Sequence, residues 1–181
     1  MRLVSLLAAL LLAGCSLLPK EAAAPPRPGP AAMVVTANPL ATEAGLRVLR
    51  EGGSAVDAAV AVQAVLSLVE PQSSGIGGGA FMVYYDAASK KVTAYDGRET
   101  APAAATDALF LGPDGKPLPF VKALLSGRST GVPGVVAMLA LAHRDHGVRP
   151  WSTLFTDGER LADEGFIISP RLAGMIAGPF P

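Results

Sequence analysis

Val69-Glu70-Pro71-Gln72-Ser73-Ser74-Gly75-Ile76-Gly77-Gly78-Gly79-Ala80-Phe81-Met82-Val83, and a little further on Tyr95-Asp96-Gly97-Arg98-Glu99-Thr100-Ala101-Pro102, are the stretches on which the fold turns. A glycine-dense turn opens a β-hairpin. Residues 80–86 and 91–96 are rich in β-branched and aromatic side chains, with turn chemistry at Ala87-Ala88-Ser89-Lys90 between them. The second strand ends on a lone arginine, Arg98, flanked by Asp96 and Glu99. A guanidinium at a strand end can grip a carboxylate ligand through two parallel N–H bonds. The plainer reading is a surface arginine paired with Asp96 or Glu99.

Working outward, residues 33–36 read as a short strand that starts the domain. Asn38 then reads as an N-cap with Pro39 at the first helical position. Leu40, Ala44, Val48 and Leu49 form a helical stripe that ends at Gly52-Gly53. Ser54-Ala55-Val56-Asp57 is a capping box. The helix it opens, to about residue 68, is apolar nearly all round and must be buried on several sides. Beyond the hairpin, residues 106–119 read as a loop of dense turn chemistry. Helices are expected over 134–146, 152–164 and from 169 onward. Helices gathered around an antiparallel hairpin give a layered α+β class rather than a parallel doubly wound sheet.

The 181 residues carry 15 basic and 15 acidic side chains, so nothing marks a nucleic-acid surface. A single cysteine excludes an internal disulfide framework. Residues 1–14 read as a lipoprotein signal peptide: Met1-Arg2, an apolar run too short to span a bilayer, then Leu12-Ala13-Gly14 before Cys15. Cys15 is the candidate lipidation site, and residues 15–32 form a Pro/Ala-rich linker suited to an extended spacer. The expected product is an exported bacterial lipoprotein held to a membrane through Cys15. It would sit on the periplasmic face or the cell surface, with Ser16 in place of Asp favouring the outer membrane. The duller reading is an ordinary secretory signal with Cys15 merely near the cut.

Other motifs lose to bland readings. Gly75-Ile76-Gly77-Gly78-Gly79-Ala80 satisfies a dinucleotide fingerprint in letters, but a helix precedes it and a strand follows, the reverse of what phosphate binding requires. His143 and His146 stand at helical spacing, and a metal would need a further ligand that no other histidine supplies. As cations in a last helical turn they complement the helix dipole. Ser73 and Ser74 lack the strand–turn–helix elbow of a nucleophile. Trp151 reads as a packing anchor.

The order of motifs from Ala37-Asn38-Pro39-Leu40-Ala41 through Arg50-Glu51-Gly52-Gly53-Ser54-Ala55-Val56-Asp57-Ala58-Ala59, the Glu70-Pro71 and glycine runs, Gly97-Arg98-Glu99-Thr100-Ala101-Pro102, Gly131-Val132-Pro133-Gly134 and Leu161-Ala162-Asp163-Glu164-Gly165-Phe166 resembles the gamma-glutamyltranspeptidases (gamma-glutamyltransferases or glutathione hydrolases). The resemblance covers residues 33–181 and fits the N-terminal part of that family's large subunit. It implies an N-terminal nucleophile hydrolase, an αββα sandwich that would be incomplete in this chain. It also implies that a precursor cleaves itself before a threonine, which then serves as nucleophile. The γ-glutamyl group of glutathione or another γ-glutamyl compound would pass to water, an amino acid or a peptide. Arg98 inherits the family's contact to the donor α-carboxylate, and no metal or organic cofactor is implied. No residue here matches the nucleophile, so the expected partners include the rest of the large subunit and the small subunit, and 1–181 alone is expected to be inactive and unstable. Two other readings stay open: a non-catalytic lipoprotein using the arginine pocket as a carboxylate-binding or interaction module, and a beta-lactam side-chain acylase of the same superfamily.

Overall fold

The computed structural model describes residues 32–178. Cys15, residues 1–14 and nearly all of the linker lie outside that range.

The first helix, α1 (Pro39–Arg50), starts where local chemistry dictates. The Asn38 side chain accepts from the Leu40 N–H, and Pro39 occupies the first turn, where its missing donor costs nothing. Past the C-cap, Gly52 takes a left-handed φ of 82° that a side chain would strain. The second helix, α2 (Ala55–Val69), opens on the complete capping box: Asp57 N–H donates to Ser54 Oγ, and Ser54 N–H to the Asp57 carboxylate. Asp57 is fully buried and also accepts from the Val148 and Arg149 N–H groups. One carboxylate thus caps a helix and ties down a loop about ninety residues away.

The hairpin pairs β1 (Ala80–Asp86) with β2 (Lys91–Gly97) antiparallel, Met82 opposite Tyr95 and Tyr84 opposite Thr93. Its turn is closed by Asp86, which accepts from Ala88 N–H and Ser89 Oγ–H. A short α3 (Phe120–Leu124) and a 3-10 turn (Gly127–Ser129) follow the loop. Then come α4 (Val135–His146), a 3-10 turn (Trp151–Leu154), α5 (Thr156–Glu164) and α6 (Pro170–Ala177).

Helix α2 packs against α1, α4 and α5, as its all-round apolar sequence requires. Two groups of buried side chains result. Val48, Val56, Val60, Tyr95, Val135, Met138 and Leu154 close one with α4 and the hairpin's inner face. Ala41, Ala44, Val65, Val69 and Leu161 close the other with α5. The hairpin's outer face is open: Phe81, Val83, Tyr85 and Val92 are all more than half exposed.

Two expectations are corrected. Among the described residues, 33–36 pair with no strand, and the Val34 side chain lies beside Gly45 of α1 and Val62 of α2. The helix expected over 152–164 is split at Phe155, whose N–H bonds Ser152 three residues back while Leu154 is held in the core. Helix α3 and the Gly127–Ser129 turn had no readable signal, since neither buries a residue.

Candidate functional site

The glycine run, the end of β2 and the start of α4 are sewn together by backbone. Thr100 and Val132 exchange both N–H···O bonds, at 3.2 and 2.8 Å. The Gly78 carbonyl accepts from the N–H groups of Gly134 and Val135 at the head of α4. So close an approach excludes side chains. A Cβ on Gly134 would strike the Gly97 carbonyl, and one on Gly79 would strike the Glu99 carboxylate. Gly75, Gly77, Gly78 and Gly79 all lack the left-handed φ, and of the four only Gly79 is crowded, against the Glu99 side chain and the Gly97 carbonyl, so closeness demands glycine there alone.

These contacts hold Arg98 at the rim of an open cavity of about 680 Å³, lined also by Gly77, Gly79, Glu99, Thr100 and Arg128. Of the two plain pairings, the one to Glu99 occurs, with Arg98 Nε 3.4 Å from Glu99 Oε2, whereas Asp96 Oδ1 accepts from the Arg98 backbone N–H at 2.9 Å rather than from the guanidinium. The guanidinium makes no hydrogen bond to a described residue, and its side chain is 71% exposed. An ion pair so exposed contributes about 0–1 kcal/mol, little enough for a ligand carboxylate to displace.

Behind the glycine run lies a second cavity, of about 580 Å³, bordered by Glu70, Gln72, Ser73 and Ser74 and sharing Gly79 and Glu99 with the first. Glu70, the C-cap of α2, is 2% exposed and ties three elements together. It accepts from Asn38 Nδ2 at 2.9 Å, from Gln72 Nε2, and from Arg171 of α6 at 3.4 Å, while its carbonyl accepts the Ser73 and Ser74 N–H groups. The Asn38 amide, ahead of the Gln72, Ser169 and Arg171 contacts, holds the Glu70 carboxyl below its ordinary range although burial pushes it up. Sequence reasoning quoted Glu70 but gave it no role.

Ser73 and Ser74 are structural acceptors, from Arg171 Nη2 at 2.7 Å and Gln63 Nε2 at 2.9 Å. The two histidines serve separate tasks. His143 Nε2 contacts the Arg149 carbonyl at 2.9 Å and lies 3.4 Å from Asp57, whereas His146 stacks on Tyr84 at 4.0 Å between centroids. Trp151 packs edge-on against His143 and Phe155, as an anchor should. Arg128, unread in the sequence, donates from Nη1 to the Leu109 and Leu111 carbonyls at 3.2 and 3.1 Å.

Comparison with known proteins accounts for this arrangement. The family profile for gamma-glutamyltranspeptidase matches residues 41–179. A glutathione hydrolase proenzyme of Bacillus subtilis strain 168 is 44% identical over 184 residues, which take in 97% of this chain and 31% of that protein. The chain spans less than a third of the curated relatives it matches. Among solved structures, the gamma-glutamyltranspeptidase of Helicobacter pylori superposes with a TM-score of 0.77 at 37% identity, over 84% of this chain and 43% of that one. The Pseudomonas nitroreducens enzyme, solved in complex with L-DON, gives 0.75 at 33% identity, over 80% and 42%. The helices wrapped on one face of a short antiparallel hairpin are thus part of an N-terminal nucleophile hydrolase fold, and the chain belongs to the gamma-glutamyltranspeptidase family, corresponding to the N-terminal region of its large subunit.

Proposed function

We propose that residues 33–181 form the donor-binding side of a gamma-glutamyltransferase or glutathione hydrolase. Residues 1–14 would export it, and Cys15 with the linker to residue 32 would tether it to a membrane facing the periplasm or the cell exterior. Arg98 holds the α-carboxylate of glutathione or another γ-glutamyl compound. A threonine hydroxyl from the remainder of the precursor attacks the γ-carbonyl, and its own amine takes the proton. The amide C–N bond breaks as the leaving amine is protonated. Water or an amino-acid or peptide amine then takes the glutamyl group from the ester.

One observation carries this reading: a guanidinium without hydrogen bonds to described residues, fixed at a cavity rim by glycine-dependent backbone packing. The named relatives, glutathione hydrolases, supply the substrate class. In the whole enzyme, Arg98→Lys keeps the charge and loses the planar fork, and we expect a donor KM about tenfold higher, near 1.4 kcal/mol. An unchanged KM removes Arg98 from the site. Purified 1–181 is expected to release no glutamate from glutathione; release would place a complete catalytic apparatus within it. Loss of membrane association in Cys15→Ala tests the anchor.

A further inference from the structure

We propose that Arg128 forms a second anion subsite in the Arg98 cavity, selecting γ-glutamyl donors that carry a further carboxylate on the leaving amine. The proposal rests on the reading of Arg98 as the α-carboxylate anchor. Arg128 reaches the same cavity from a different part of the chain, the Gly127–Ser129 turn. Its two Nη1 contacts, to the Leu109 and Leu111 carbonyls, pin the guanidinium in place. A guanidinium has five N–H donors, so Nε and Nη2 stay available. Among the described residues, none forms an ion pair with Arg128, whereas Arg98 already has Glu99.

Charge counting points the same way. The charged residues lining the cavity are Arg98, Arg128 and Glu99, two cations against one anion, leaving +1. A γ-glutamyl donor with a neutral leaving group carries one ammonium and one carboxylate and is neutral. A donor ending in a second carboxylate carries −1 and matches the cavity. A planar, pinned guanidinium is also the group best shaped to take a carboxylate through two parallel bonds.

The test is the ratio of kcat/KM for glutathione to that for its glycine amide, measured on the whole enzyme. The two donors differ in the second carboxylate alone. The wild type is expected to favour glutathione about tenfold, and Arg128→Gln to bring the ratio close to one. Arg128→Lys, which keeps charge without the fork, should fall between. Arg98→Lys should weaken both donors and leave the ratio where it was. A wild-type ratio near one, or a ratio that survives Arg128→Gln whatever happens to absolute rates, overturns the subsite. Equal loss on both donors is such a case, because it marks a purely structural role at residues 109–111. Unaltered KM for both donors in Arg98→Lys would instead overturn the Arg98 anchor, even with the Arg128 ratio collapsed.

Discussion

Val65 and Val83 are the same residue in two regions built on opposite terms. Val65 lies in α2, 0% exposed, among side chains supplied from α1 and α5; Val83 lies on the outer face of the hairpin, 74% exposed. The helical core closes on itself through caps, apolar stripes and two buried carboxylates, Asp57 and Glu70. The hairpin is half closed: Met82, Tyr84 and Tyr95 turn inward onto α4 and its neighbours, while Phe81, Val83 and Tyr85 turn out. The candidate site sits on the seam between these regions. Its cavities open where tightly sewn backbone from the core side meets the strand end that carries Arg98.

The largest effect is expected where the core depends on a single group. Asp57→Ala removes the acceptor of three N–H groups, those of Ser54, Val148 and Arg149, in a site with no exposure. Each buried donor left unpaired costs about 1–3 kcal/mol, so a loss of about 4 kcal/mol is expected. Amide exchange should locate it, with protection lost at Val148 and Arg149 as well as at the head of α2. If exchange quickened at Ser54 alone, Asp57 would be an ordinary cap and the core would not rest on it.

The local half of this organisation is legible in the sequence itself. Asn38-Pro39 and Ser54 with Asp57 satisfy their own helix ends within three residues, and such signals survive folding unchanged. The hairpin and Arg98's place at its end follow from period-two patterning and turn chemistry in the same way. What escaped depends on distant partners. Glu70 draws its meaning from Asn38, 32 residues earlier, and Arg171, 101 later. Arg128 reaches the cavity because it hangs on carbonyls of a loop with no periodicity of its own. Residues 33–36 mislead for the converse reason. Their pattern suits a strand, but a strand needs a neighbour, none of the described residues supplies one, and Val34 packs against helices.

Glu70 sharpens the comparison with pH. Its folded-state carboxyl is held below the ordinary value, chiefly by Asn38. Stability from that shift is therefore present above the unfolded value, about 4.3, and is lost as pH falls through the lower folded value. Glu70→Gln, which cannot titrate, should flatten that part of the acid limb in a urea-midpoint profile. Identical acid limbs in the two proteins would mean that the links to Asn38 and Arg171 add nothing as charge. The helical region would then hold the glycine run by packing alone.

The smallest effect is the most informative about the open face. Val→Thr keeps shape and adds one hydroxyl, so its cost reports whether a site is dry. At Val65 the hydroxyl is buried among aliphatic carbons, and about 2 kcal/mol should be lost. At Val83 of the isolated chain the hydroxyl meets water, and urea unfolding should move by less than about 0.5 kcal/mol. In the αββα layering of this fold family a second sheet layer covers the first. The same Val83→Thr change in the whole precursor should then cost more than it does in 1–181. Equal, negligible costs in both would mean that the outer face stays wet, and the contrast between the two valines would be a property of the hairpin itself. Equal, substantial costs in both would mean that 1–181 already covers this face by associating with itself, which a concentration-dependent midpoint would reveal.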